Sequence, residues 1–522
     1  MQTSPSAASR RIDWSYVVSN LGPRALQTGL IVLSAVQFLR CVGAAYIWLY
    51  VGLVVPSLRF ALSAAYRRDV LGSAEKARRA LEAFAADRSR PVPWRAVGLL
   101  VVLPAGLFYL TNPRPLMTGD SKPITLIVSS LVRDGSTDLA SYSSHYAPFY
   151  GTTSTPDLPY FFMRTSNGVH SSYPSGMCLF ALPSAAAARL LAVDLSRGGV
   201  QDHMEKGVAS WLAASCLGLF FLIALHVSDA RSAGWMTLLL GVGSGMCSTV
   251  AQALWQHGGV LFWMLLAILI EFRTWQRPTR AGTILQGVAL SMMFACRLAS
   301  ALSIAAFGLW LLLRAPRRAV LVGLAAAVAY LPWTCYYQAV YGTPFGPSIQ
   351  QMNSFTGHWR DTMVLLLVSL DHGLLVYQPW ILLLATFALP SVRSRLFSSP
   401  SAAPPGWSWF CLAAIAPTLG LVASWNCWWG GDCWGSRLAI ETVPFFALLC
   451  LPCVSALRQL AWGRGLLTAT LVFAAFLHLT GVFLKVDIRA SQPLIGARQT
   501  TPGSPAIVPF LTPFVGSLHS YR

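Results

Sequence analysis

The sequence predicts an all-α fold, a polytopic transmembrane helical bundle of about 11–13 spanning helices with juxtamembrane helices in the first outer loop. Three observations lead there. Of 522 residues, 55% are hydrophobic and only 11% are charged, and the mean hydropathy is +0.55; soluble domains carry about 25% charged residues. Apolar runs repeatedly approach the roughly 20 residues that cross a bilayer as a helix. The formal charge of +19 sits in short loops between those runs, which is the positive-inside pattern and not a nucleic-acid patch. Nucleic acid is therefore excluded as a partner.

The elements follow in order. Residues 1–20 are polar and lack the apolar core of a cleavable signal, and 1–24 carry Arg10, Arg11 and Arg24. The apolar stretch 25–65 contains Arg40 and fits either one span with an amphipathic lead-in or a tight hairpin. Arg67, Arg68, Lys76, Arg78, Arg79, Arg88, Arg90 and Arg95 then crowd one segment, which is expected to be cytoplasmic. The span 96–110 runs outward from it and puts Asp120 on the outer face. A long outer segment, 111–206, follows. Within it 173–191 is apolar but broken by Pro174 and Pro183, and is expected to lie along the outer surface. A spanning helix there would invert every later one. Loop charges decide between the two: with a surface helix, the loops carrying Arg231, Arg273/Arg277/Arg280, Arg314/Arg317/Arg318, Arg393/Arg395 and Arg458/Arg464 all fall inside.

Further spans are expected at 207–227, 234–250, 258–271, 281–296, 298–313, 319–337, 373–390, 408–425, 438–457 and 465–484. Outer loops fall at 251–257, near Arg297, at 341–372 and at 425–437. The division is thus 1–95, an N-terminal membrane extension and basic segment; 96–484, the main transmembrane domain; and 485–522, an outer tail rich in Pro, Gly and Ser. No internal repeat of the kind found in secondary transporters is visible. The 11 cysteines lie mostly in apolar runs and suit small core residues rather than a metal or disulfide framework; Cys427 and Cys433 share one loop.

That topology gathers unusual polar groups on one side. Asp120 stands in MTGDSKP, followed by Lys122 and closed by RDGSTDL. Asp157 and Tyr173 lie in the outer segment. Gln256 and His257 stand in LWQHGG, where a helix cap is the plainer role. Arg297 stands in FACRLAS; an intramembrane arginine is costly unless paired, and marks a functional site by default. Tyr377 belongs to SLDHGLLVYQPW, whose Asp371 and His372 suit a solvated loop equally well. WNCWWGGDCWGSR holds Trp429, Asp432 and Arg437. Its tryptophans match an interfacial belt, whereas Gly430, Gly431 and Gly435 admit close approach of a ligand or backbone. Arg437 at the membrane edge also suits a snorkelling role.

In order and sidedness, GDSKP with RDGSTDL, SSYPSG, WQHG, CRLAS, GLLVYQPW and WWGG…WGSR followed by a helix from Glu441 to Pro444 resemble the GT-C superfamily of integral-membrane glycosyltransferases. That superfamily uses polyprenyl-phosphate sugars, as protein O-mannosyltransferases and the aminoarabinose transferase of lipid A do. The resemblance covers most of 96–484. It implies a GT-C type bundle in a bacterial inner (plasma) membrane, with the active site on the periplasmic face. A polyprenyl-phosphate-linked sugar would be the donor, and a glycan, lipid or protein the acceptor. Where relatives commonly carry an acidic pair, Ser121 follows Asp120; this leaves the base role with Asp120 alone, and a divalent metal is possible but not indicated.

The chemistry makes matching demands. A lipid phosphate leaves as an anion and needs little acid help, so the reaction needs one carboxylate to take the acceptor's proton. It also needs cations or donors for the phosphate. Asp120 fits the first task, and Arg297, Arg437, Lys122 and His257 fit the second. Asp157, Tyr173, Gln256, Tyr377, Trp429 and Asp432 are candidate substrate contacts. One base without a second nucleophilic carboxylate implies a single displacement with inversion. A transporter or flippase for lipid-linked glycans, a ligase and a membrane scaffold are the rival classes; a transporter would place its polar groups near the midplane.

Overall fold

The computed structural model describes residues 56–57, 60, 63–112, 116, 118–150, 157–347, 355, 359–370, 372–396, 402–431 and 433–483. The expectations for 1–24, most of 25–65, Asp371, Asp432 and 485–522 lie outside the described residues.

Among the described residues the chain is a helical bundle with one small hairpin. Its helices are α1 (Ala64–Ala86), α2 (Trp94–Leu110), α3 (Lys122–Asp134), α4 (Ala140–Tyr150), α5 (Cys178–Leu190), α6 (Gly198–Val227), α7 (Ala230–Val242), α8 (Gln256–Thr274) and α9 (Arg280–Cys296). They continue with α10 (Leu298–Arg314), α11 (Pro316–Tyr341), α12 (Trp359–Val368), α13 (Leu374–Tyr377), α14 (Pro390–Leu396), α15 (Trp407–Ser424), α16 (Arg437–Arg458) and α17 (Ala461–Phe483). α6, α8, α11, α15, α16 and α17 are long and apolar enough to cross a membrane, which makes this an integral membrane protein. The apolar helices α2, α5, α9, α10 and a 3₁₀ helix, Pro379–Ala388, are shorter.

Local chemistry sets the ends. Ser63 Oγ caps α1 by accepting from Tyr66 N–H, Asp229 caps α7 through Arg231 and Ser232 N–H, and Thr279 caps α9 through Gly282 N–H. Gly135 (φ 69°) and Gly342 (φ 71°) stop α3 and α11 in the left-handed conformation. The expected span at 234–250 is interrupted: α7 ends at Val242, and a π-helical turn, Met246–Val250, follows. Gly243 makes the break compact, because Trp380 Nε1–H donates to its carbonyl at 2.9 Å and a Cβ there would lie 2.8 Å from that of Ala474. The expected span at 373–390 is the turn α13 running into the 3₁₀ helix at Pro379. The Cys450-Leu-Pro-Cys453 spacing falls inside α16, where both thiols are free and buried.

α6 is the centre of the bundle. Eighty-three per cent of its apolar window is buried, against 6% for α11, and it packs on α2, α7 and α8. α11 lies at the periphery against α9 and α10 and turns Val320, Leu324, Val328 and Leu331 outward. α5 is only 13 residues long, about 20 Å at the usual rise per residue, short of a bilayer core.

Between α4 and α5, β1 (Phe162–Thr165) and β2 (Gly168–Ser171) form an antiparallel hairpin. Its turn is Ser166-Asn167, and Gly168, which opens β2, has a positive φ of 130°. Asp138 accepts Val169 N–H at 2.9 Å and so ties the hairpin to the end of α3.

The bundle has two chemically distinct ends. One gathers arginines. Arg88 reaches the carbonyls of Leu225 and Ser228 at the end of α6, Arg273 reaches that of Arg88, and Arg458 pairs with Asp229. Arg314 and Arg318 share the buried Glu271. The other end holds Asp120 and the starts of α3, α8 and α16.

Candidate active site

Asp120 occupies the turn that leads into α3. Gly119 before it has no room for a side chain, since a Cβ would run into the Tyr160 phenol and lie 2.8 Å from the Phe161 ring. The tip of the Tyr160 phenol therefore abuts the turn. Its hydroxyl donates to Asp120 Oδ1 at 3.0 Å, and Tyr173, just past the hairpin, donates to the same oxygen at 2.8 Å. Arg437 Nη1 meets Oδ2 at 2.7 Å. Two segments remote in sequence thus join in one ion pair, which is 26% exposed on the Asp120 side and 12% on the Arg437 side.

Burial pushes the Asp120 carboxyl up. The Arg437 charge and the hydrogen bonds from Tyr173, Arg437 and Tyr160 outweigh it and hold the group below the usual carboxylate range. Burial and the Asp120 charge push the Tyr173 phenol well above its ordinary value, so it stays a protonated donor.

Arg437 opens the 3₁₀ turn Arg437–Thr442 that leads α16. Its guanidinium lies 4.2 Å from the centre of the Trp255 ring, and its Nε is buried with no hydrogen-bond partner among the described residues. Gly430, Gly431 and Gly435 all adopt left-handed backbone (φ 75–82°). A Cβ at Gly430 would stand 3.4 Å from Arg437 Nε, so glycine lets the loop close over the arginine.

One turn further on, Glu441 is nearly fully buried. Its Oε1 takes Arg297 Nη1 at 2.6 Å and His257 Nδ1 at 2.8 Å. Arg297 lies at the end of α9 and His257 in the first turn of α8, so three helix ends are locked on one carboxylate. A buried arginine left unpaired would cost about 3–5 kcal/mol, which explains why this intramembrane arginine is tolerated.

Lys122 lies elsewhere. It is buried in the first turn of α3 and pairs with Asp202 in the first turns of α6. Burial lowers its pKa, partly offset by the charge of Glu205. Glu205 accepts Leu254 N–H at 3.0 Å. Lys206 donates to Ala251 O and Gln252 Oε1, each at 2.8 Å, and Asn112 also reaches Gln252. These contacts fasten the turn around Asp120 to α6 and to the loop before α8.

Among the sequence-predicted residues, then, Asp120, Tyr173 and Arg437 touch, and His257 and Arg297 share the neighbouring carboxylate. Lys122 anchors a helix. Asp157 is exposed and pairs with Arg164 on the surface. Gln256 begins α8, half-buried. Tyr377 is fully buried, edge-on to Trp434 at 5.9 Å. Trp429 is half-buried against Trp428. Sequence reasoning passed over Tyr160, Trp255, Asp202 and Glu441 as site residues; Glu441, an acid at the head of an apolar helix, was the one with a visible signal. Among the described residues no three His, Cys, Asp or Glu side chains come together as a metal site.

No protein-family model and no curated protein matches the chain. The solved structures that the chain is similar to include two transferases. ArnT from Cupriavidus metallidurans in the apo state is 13% identical with a TM-score of 0.44, over 82% of this chain and 75% of that one. The archaeal oligosaccharyltransferase AglB from Archaeoglobus fulgidus, in complex with an inhibitory peptide and a dolichol-phosphate, is 14% identical with a TM-score of 0.38, over 78% of this chain and 58% of that one. Likenesses at this level fix neither family nor chemistry.

Proposed function

We propose that this protein is an integral-membrane glycosyltransferase of GT-C type that moves a sugar from a polyprenyl-phosphate donor to an acceptor hydroxyl, with Asp120 as general base. The observation that carries the reading is the Asp120–Arg437 pair at 2.7 Å, flanked by two phenols, at the helix-start end of an apolar bundle. The motif order that resembles the superfamily agrees with it. A proton acceptor and a phosphate-binding cation are the two groups such a transfer requires, and here they share one spot.

The acceptor oxygen attacks the anomeric carbon and its proton passes to Asp120. The bond from that carbon to the phosphate oxygen breaks, and the electron pair leaves with the lipid phosphate. One displacement inverts the anomeric configuration. Arg437 receives the phosphate charge. Arg297 and His257, held on Glu441, keep α8, α9 and α16 in register beneath it, and Lys122 holds α3.

The test is Asp120→Asn, assayed for transfer with a panel of polyprenyl-phosphate sugars in membranes. The substitution keeps size and hydrogen bonding but cannot accept the proton, so turnover is expected to fall by a factor of about 10² to 10⁴. Near-normal transfer by Asp120→Asn alongside a dead Asp157→Asn would reassign the base.

A further inference from the structure

Each candidate phosphate-binding cation is already engaged by a carboxylate of the chain: Lys122 by Asp202, Arg297 by Glu441, Arg437 by Asp120. These ties differ in kind. Lys122 and Glu441 are almost fully buried, and parting either pair would strand a charge away from water, with only His257 left on Glu441 if Arg297 departs. Asp120 keeps its two phenol donors and a quarter of its side-chain surface in solvent if Arg437 departs.

Arg437 also keeps donor capacity in reserve. It holds Asp120 through Nη1, rests its face on Trp255, keeps Nε buried without a hydrogen-bond partner among the described residues, and is bordered by Gly430. A guanidinium bound by one edge to a carboxylate can offer a two-pronged fork to a phosphate. Meanwhile Asp120, with two donors on Oδ1 and an arginine on Oδ2, has little lone-pair capacity left for an acceptor hydroxyl. As it stands it is a poorly accessible base, and its lowered pKa agrees.

We propose that Arg437 exchanges partners: it holds Asp120 in the resting enzyme and passes to the anionic phosphate of the polyprenyl-phosphate donor, so that the base is released only once the donor is in place. This rests on the transferase reading. No covalent bond changes in the exchange; one ion pair is replaced by another.

The experiment measures binding of decaprenyl phosphate to the purified full chain in nanodiscs. The wild type, Asp120→Asn, Arg437→Ala and the double variant are compared. Removing the competing carboxylate is expected to tighten binding by roughly tenfold, the scale of one charge-assisted hydrogen bond. Arg437→Ala is expected to weaken binding, and Asp120→Asn is expected to bring no gain in the Arg437→Ala background. Asp120→Ser, which also removes the charge, should repeat the pattern and guards against a folding defect in one variant. Unchanged or weaker binding by both charge-removing variants overturns the exchange while leaving the transferase reading intact. So does a gain that persists without Arg437, which would mean simple repulsion of the lipid phosphate by Asp120. A wild type that does not bind decaprenyl phosphate removes the transferase reading itself, and the exchange with it.

Discussion

Asp120 works at the level of single hydrogen bonds. Three charged or titratable groups face it, Arg437, Tyr160 and Tyr173, and together they hold its pKa below the ordinary carboxylate value. The sign follows: the carboxylate is already ionised throughout the neutral range, and its contribution to stability is lost only as pH falls through that lowered value. The acid limb of kcat/KM, which reports the free enzyme, is thus expected below the usual carboxyl range. Tyr173→Phe removes a donor to the charged form and should move that limb upward, while Phe at position 160 should do so less, because its bond is longer. A pH profile in which Tyr173→Phe leaves the limb in place would show that Asp120 is not the titrating base. At this scale the sequence was legible where a polar residue interrupts an apolar run, as at Asp120, Arg297 and Arg437. It was silent on Tyr160, an ordinary tyrosine in a polar loop, because only the fold lays its ring on Gly119. Lys122 misleads in the opposite direction: its place two residues after Asp120 suggests the site, yet the helical turn carries its side chain under the loop to Asp202.

At the scale of elements, helix starts and stops decide which groups meet. The α3 stop at Gly135 was written in the sequence as a glycine signal; the hairpin went unrecognised because its strands are only four residues each. The interruptions after Val242 and at Pro379 were harder to foresee, since uniform hydropathy hides a break that tertiary contacts stabilise. α5 depends on a closer fit. A Cβ on Gly176 would stand 2.6 Å from Cys296 N and against the carbonyl of Ala295, whose oxygen accepts Gly176 N–H at 3.1 Å. Cys296 precedes Arg297, so this contact sets α5 against the end of α9. Gly176→Ala should therefore cost about 1–3 kcal/mol, the usual range for overpacking. A melting experiment in detergent showing no loss would mean that the two segments part freely.

Across the whole molecule, the arginine-rich end and the Asp120 end are separated by the length of the bundle. The proposed topology, argued from the positive-inside rule, puts the arginines in the cytoplasm and Asp120 outside. Single cysteines introduced beside Arg231 and Arg277 should resist membrane-impermeant maleimide in intact cells and react after permeabilisation. Efficient labelling from outside would turn the topology over and move the proposed chemistry to the cytoplasmic face. The class of fold was legible from composition alone, because a chain so poor in charge has few ways to hide its backbone polar groups other than helices. Which helices are central was not: α6 and α11 are both long and apolar, and only packing shows that one is the core and the other faces outward.

The pairing of each cation with an acid has a consequence for how a donor would arrive. Two positive and two negative side chains, Arg437 with Asp120 and Arg297 with Glu441, cancel almost in place. A site balanced in this way projects little field beyond its own walls, so it has no means of drawing an anion through solution in the way a cationic funnel does. On the proposed reading, encounter then depends on two-dimensional diffusion of a lipid within the leaflet, and ionic strength should scarcely touch its rate. The preference for an anion arises after contact, when one of the balanced pairs opens.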